Sequence, residues 1–164
     1  MRLHNFPMEF REFEQTIIAI RFSDERQASN DQTLPFGIIT IDVDGNMYTF
    51  SPELAGFENF AVGNIFEKDF PELASSPNLR RMVTEIQAGT ELCQRDCEYF
   101  SVCGGDAPAN KIFENGTFRS TETTFCRLSK KRITDFVLEA IETALLDPDA
   151  RSRYSFNSNY LGER

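Results

Sequence analysis

All four cysteines of this 164-residue chain fall between Cys93 and Cys126. The first three, Cys93, Cys97 and Cys103, are spaced C-x3-C-x5-C, and Cys126 follows after twenty-two more residues. A tight triplet with one distant partner lets a loop supply three thiolates while a later element closes a four-ligand cage. Thiolates in fours hold zinc or an iron–sulfur cluster. Tetra-Cys zinc sites usually pair two short C-x2-4-C knuckles, so a 3+1 distribution with a wide second gap suits a 4Fe–4S cluster better. Gly104 and Gly105, directly after the third cysteine, would let backbone N–H groups approach cluster sulfurs closely. Disulfides are the alternative, since four cysteines allow three pairings.

Charge and patterning narrow the setting. The net charge of −9 and pI near 4.7 argue against general nucleic-acid binding, which needs a basic patch to neutralise phosphates. No apolar run approaches the ~18 residues that would cross a bilayer, and the first residues lack the apolar core of a signal peptide. The expectation is a cytoplasmic, reducing compartment, which weighs against disulfides. The one histidine, His4, excludes a histidine-rich metal site and a Ser-His-Asp triad; it reads as an exposed terminal residue.

Along the chain, the pattern predicts an α+β domain. Phe10, Phe13, Ile17 and Ile20 recur at helical spacing over 7–22, with Pro7 at a suitable first position. A polar stretch, 23–33, reads as a loop. Gly37–Val43 and Asn46–Phe50 flank Asp44-Gly45 as a hairpin, and Gly63-Asn64 reads as a further turn. A short helix is expected over 66–73, interrupted at Pro71. Ser76-Pro77 opens a capped helix carrying Leu79, Met82, Val83 and Ile86, with Gly89 as its stop just before Cys93. Lys111–Phe118, around Asn115-Gly116, reads as a tight β-hairpin. Ser129 caps a long last helix with Ile133, Phe136, Val137, Ala140, Ile141, Ala144 and Leu145 on one face. The organisation expected is an N-terminal helix and linker over 1–34, the cysteine-bearing domain over 35–147, and a flexible polar tail over 148–164. Phe113 and Phe118 are assigned to the core. Asp42 and Asp44 hint at a cation loop but are explained by turn chemistry. Asp106, Glu114 and Glu122 are candidate acid–base groups that read better as surface residues.

The residues between the cysteines carry a resemblance. Cys93-x3-Cys97-x-Tyr99-Phe100-x2-Cys103-Gly-Gly-x2-Pro108-x-Asn110-Lys111, then Glu114-Asn-Gly-x-Phe118, then Thr121-Glu122-Thr123-x2-Cys126-Arg127, resembles the SPASM domain of radical SAM peptide-modifying enzymes. It is most similar to the maturases of glycine-rich-repeat ribosomal peptides, which form cyclophane crosslinks. The upstream segment with Ile41-Asp-x-Asp-Gly45, Ser51-Pro52 and Gly63-Asn64 looks like the hairpin that precedes the cysteines in those enzymes, so the resemblance spans about Pro35 to Leu146. It implies a small SPASM-like domain in which Cys93, Cys97, Cys103 and Cys126 ligate one auxiliary 4Fe–4S cluster. Gly104, Gly105, Lys111 and Arg127 would surround it, with Lys111, Arg127 and Lys130 offsetting its charge and Tyr99 and Phe100 shielding it from water. The family's ligand to a second auxiliary cluster would fall at Ala107, and the strand end Tyr48–Pro52 carries no cysteine either, so one cluster is implied, not two. The first gap is one residue longer than in the family.

The C-x3-C-x2-C motif that cleaves S-adenosylmethionine is absent, so no catalytic activity is expected of this chain alone. The expected function is an electron-transfer and peptide-binding module in radical SAM-dependent modification of a ribosomal peptide (RiPP biosynthesis). Its partners would be a radical SAM enzyme, a precursor peptide or both, with strand addition at the hairpin edge as a means of peptide recognition. The alternatives are a peptide-binding adaptor whose metal, cluster or zinc, is purely structural, and a truncated remnant of a full-length maturase. Met1 followed by a helix reads as a genuine start.

Overall fold

The computed structural model describes residues 2–3, 11–22, 30–146 and 154–155. Its elements run β1 (Arg2–Leu3), α1 (Arg11–Arg21), β2 (Ile39–Ile41), β3 (Asn46–Thr49), β4 (Gly63–Asn64), α2 (Phe70–Ala74), α3 (Pro77–Asp96), α4 (Phe100–Cys103), α5 (Pro108–Asn115), a π-helical turn (Cys126–Lys131), α6 (Arg132–Leu146) and β5 (Tyr154–Ser155). Helices dominate around a three-stranded sheet of order β2-β3-β4, while β1 pairs with β5. This is an α+β structure, as the pattern predicts. His4, Pro7, Phe10, residues 23–29 and most of the tail lie outside the described residues.

The Asp-Gly turn makes the predicted hairpin, with Ile39 opposite Thr49 and Ile41 opposite Met47. Asp42 is consumed by the turn. Its carboxylate accepts the N–H groups of Asp44 and Asn46 (3.0 and 2.9 Å), the Asn46 amide (3.0 Å) and the Tyr48 hydroxyl (3.1 Å). Gly63-Asn64 is not a turn but strand β4, which makes β3 the central strand. The Asn64 amide donates to Asp44 O (2.9 Å), tying β4 to the hairpin tip. Two residues are too few to show alternation, so this strand has no period to read. β3 is followed directly by Phe50, which takes φ +75, a conformation unfavourable for a bulky residue. Complete burial of its ring offsets that strain.

Pro71 does not interrupt α2; it sits in the first turn, where no N–H is needed, behind a reciprocal capping box of Asp69 and Glu72 (3.0 Å each). The next helix, α3, starts as predicted, with Ser76 Oγ accepting from Leu79 N at 3.1 Å and Pro77 beside it. It does not stop at Gly89. It runs through to Asp96, burying Leu79, Met82, Ile86, Gly89 and Cys93. Gly89 is there for close approach: a Cβ on it would stand 2.1 Å from Phe118 O. Each of the buried Leu79, Met82 and Ile86 side chains on this face contributes ~1.5–3 kcal/mol.

The hairpin expected over Lys111–Phe118 is instead helix α5 and its exit. Pro108 opens it, and Gly116 at φ +72 closes it with its N–H on Ile112 O. Asn-Gly serves a left-handed helix cap as readily as a hairpin turn, and no alternating run follows to favour the hairpin. Phe118 then plugs the core with no exposure and an edge contact to Phe60 at 5.6 Å. Phe113 does not join it; half exposed, it packs at the rim against Phe57 at 5.3 Å. Ser129 caps nothing. The last helical segment begins at Thr123, whose Oγ1 accepts from Cys126 N at 2.9 Å, and passes through the π turn, where the Arg132 N–H reaches Arg127 O. Beyond it Val137 and Ala140 are buried, whereas Phe136 and Leu145 are exposed. Helix α1 lies against α4 and α6, with Phe13 and Phe136 rings 5.4 Å apart. Among the described residues no helix is long and apolar enough to cross a membrane.

Candidate metal centre

Because α3 continues past Gly89, Cys93 is carried on a helix rather than on a loop, buried one turn beyond that glycine. Cys97 is the residue at which the helix gives out; its N–H still bonds Cys93 O at 2.9 Å while its own φ/ψ is extended. The chain then turns into α4, whose last residue is Cys103. Gly104, Gly105 and Asp106 follow with φ of 63°, 103° and 63°. Three successive left-handed residues fold the backbone back toward the thiol, where the N–H groups of Gly105 and Asp106 favour the thiolate of Cys103. Glycine makes two of these conformations accessible, and Asp is among the few side chains that tolerate the third. Both glycines are buried, as is Asp106. Cys126 arrives from the far side, at the head of the π turn.

The thiols feel one another. Burial pushes the Cys103 thiol up, the two N–H bonds act against this, and the nearby Cys97 and Asp106 charges reinforce it. Cys126 is pushed up to about 12, by burial first and then by Asp106, Cys103 and Cys97, with Lys131 opposing. All four cysteines are free thiols. Cys93 has a different environment: the ammonium of Lys111, itself only 3% exposed, donates to Cys93 Sγ at 3.3 Å and to Gly89 O at 3.0 Å.

A polar network holds Cys126 in place. The Thr123 hydroxyl that receives the Cys126 N–H donates in turn to Asp106 Oδ2 at 2.9 Å, and the Asn110 amide donates to Asp106 Oδ1 at 3.3 Å. The Asp106 carbonyl takes the Asn30 amide at 2.9 Å. Glu114, reaching across from α5, accepts the N–H groups of Thr124 and Phe125. The acid–base candidates are thus occupied: Asp106 and Glu114 position backbone, and Glu122 pairs with Lys131 and, at 3.8 Å, with Arg127. No sequence spacing signals the Glu114 cap, because the N–H groups that donate to it lie ten and eleven residues on.

Of the expected surrounding residues, Gly104, Gly105 and Lys111 stand at the thiols. Arg127 is exposed and turned to Glu122, and Lys130 is exposed beside a cavity of about 480 Å³ that Val102, Phe125, Arg11 and Glu12 also line. The cation that does sense Cys97 and Cys126 is Lys131, which the sequence reading passed over; it also lies over the Tyr99 ring at 5.5 Å. Tyr99 donates its hydroxyl to Asp135 at 2.6 Å. Ala107 is the residue preceding α5.

Among the described residues, no three Cys, His, Asp or Glu side chains are gathered closely enough to hold a single metal ion. Four thiolates can hold either zinc or a 4Fe–4S cluster. The donor chemistry suits such a cluster: four thiols, N–H groups directed at sulfur, and one buried cation.

No family model matches the chain, and no solved structure matches it. The uncharacterized protein sll1766 of Synechocystis sp. (strain ATCC 27184 / PCC 6803 / Kazusa) is 35% identical over 140 residues, covering 82% of this chain and 35% of the relative. The chain therefore spans about a third of the length of this curated relative.

Proposed function

We propose that Cys93, Cys97, Cys103 and Cys126 bind one 4Fe–4S cluster in a SPASM-like domain, and that this domain serves as an auxiliary electron-transfer and peptide-binding module for a radical SAM enzyme acting on a ribosomal peptide. The observation that carries this reading is the buried Lys111 ammonium at Cys93 Sγ, 3.3 Å away. A lone buried cation is destabilising unless it meets a counter-charge, and a thiolate-ligated cluster carries net negative charge at that place. A cluster bound there supplies one-electron transfer; with four Cys ligands it leaves no open iron for substrate. The two thirds of the relative beyond the match leave room for a (β/α) barrel, which takes ~250 residues or fewer when partial. The radical SAM partner is therefore a further domain of a longer protein or a separate chain.

The test is iron, sulfide and zinc content of anaerobically purified protein, with absorption and electron-resonance spectra before and after reduction. The expected result is four irons and four sulfides per chain, on the reading of one cluster, with bleaching on reduction. Single Cys→Ala changes at the four positions should each strongly reduce iron, and Ala107→Cys should not add a second cluster. One zinc without iron, or full iron after loss of Cys126, would overturn the assignment.

A further inference from the structure

Two buried charges stand at different thiols of the group. Lys111 and Asp106 are each 3% exposed. The Lys111 ammonium touches Cys93 Sγ and Gly89 O, and no carboxylate is among its partners in the described residues. Asp106 belongs to the other end. It lies three residues after Cys103, and its carboxylate is joined to the Cys126 N–H through the Thr123 hydroxyl. Charges buried away from water act through a low dielectric, so their fields reach a neighbouring redox group little weakened. Cluster potentials respond to net charge and to hydrogen bonds on the sulfurs.

We propose that Lys111 and Asp106 are opposed positioning residues that set the reduction potential of the cluster: the Lys111 ammonium at Cys93 favours the reduced, more negative state, and the Asp106 carboxylate beside Cys103 and Cys126 opposes it. This rests on the cluster reading above. Reduction adds one electron to the cluster core and makes or breaks no bond; in the test, dithionite supplies that electron. Arg127, exposed and paired with Glu122, has no such influence.

The experiment is a mediated dithionite titration of the full chain, followed by electron resonance, on Lys111→Met, Lys111→Gln, Asp106→Asn and Arg127→Met after iron content has been measured. Asn tolerates the left-handed backbone of position 106, and Gln retains a donor for Gly89 O. The midpoint should fall in both Lys111 variants, rise in Asp106→Asn, lie between them in the Lys111→Met/Asp106→Asn double variant, and stay at the wild-type value in Arg127→Met. If Lys111→Met fails to fold, Lys111→Gln and Asp106→Asn still carry the opposite signs. With iron intact, unshifted midpoints or shifts of the same sign would overturn this inference and leave the cluster standing. Loss of iron from every Lys111 and Asp106 variant would overturn it in favour of a purely structural role. Absence of iron from the wild type would overturn both readings.

Discussion

Replacing Gly89 by Ala should destabilise this protein, against the usual trend for a mid-helix glycine. Intrinsic propensity favours Ala there by ~0.5–1 kcal/mol. The structure opposes it, because the added Cβ would stand 2.1 Å from Phe118 O, 3.2 Å from Phe118 C and 3.3 Å from Ser120 O. These are backbone atoms, so no rotamer change relieves the contact; the 117–120 segment must retreat by roughly 1 Å to restore ordinary packing. Overpacking of this kind costs ~1–3 kcal/mol, occasionally more. The movement also withdraws Phe118, which is fully buried. A 2.1 Å contact with backbone belongs at the upper end of that range, so subtracting the propensity gain leaves a net loss of about 2 kcal/mol, or a Tm lowered by about 4–8 °C for a chain of this size. Urea denaturation of the metal-free protein reads this directly, and iron content of the loaded protein should fall with it, since Cys93 lies one helical turn beyond. Gly116→Ala is the comparison: nothing lies within 4 Å, but φ is +72, so it should cost ~1–2 kcal/mol through strain alone and leave iron intact. A Gly89→Ala variant as stable as the wild type would refute the close-approach reasoning.

Other changes test the neighbouring contacts. Thr123→Val removes the acceptor of the Cys126 N–H and the donor to buried Asp106. It should cost ~2–4 kcal/mol, from a lost cap and an under-satisfied carboxylate, whereas Thr123→Ser should recover most of this in the same denaturation assay. Tyr99 is pushed up to about 12, first by its hydrogen bond to Asp135, then by burial and by the Asp135 and Glu98 charges, with Lys131 opposing. The protonated phenol is the form the fold favours. Its contribution is therefore present in full below the ordinary tyrosine range near ~10 and is lost as pH rises through about 12. Asp135→Asn should move one tyrosine down toward the ordinary range in an ultraviolet titration, burial and Glu98 still holding it somewhat up; the chain has four tyrosines and no tryptophan, so an unchanged curve would be plain.

How much was legible in the sequence follows from where the information lies. The Asp44-Gly45 hairpin and the Ser76-Pro77 helix start were readable because turn and cap chemistry is local. The cysteine spacing raised the idea of a shared centre, and what the fold adds is that Cys97, Cys103 and Cys126 lie near enough to act on one another electrostatically. Gly89 and Gly116 were misjudged for different reasons: an Asn-Gly pair serves a helix cap as well as a hairpin turn, and a mid-helix glycine can mark a close neighbour rather than a stop. At Gly116 it is the first, closing a helix, and at Gly89 the second. The polar centre of the site was least visible. Asp106 and Glu114 look like surface carboxylates in sequence, and their roles depend on partners brought from Asn30, Thr123 and Thr124 by tertiary packing. Lys111 was singled out, but its burial came from Gly89 and α3, which no spacing links to it.

The π turn at Cys126–Lys131 acts as a vernier between the cysteine and the body of α6. Its bonds close over five residues instead of four, as the Arg132 N–H on Arg127 O records, so it takes up one more residue than an α-helical turn. Each residue of an α-helix advances ~100° and ~1.5 Å. The inserted residue therefore lets Cys126 face Cys97 and Cys103 while Val137 and Ala140 keep their own, independently phased burial. In an uninterrupted α-helix one of these alignments would be a quarter-turn out. A one-residue deletion in this turn, at Leu128 for example, would thus act as a rotation, turning Cys126 relative to the body of α6.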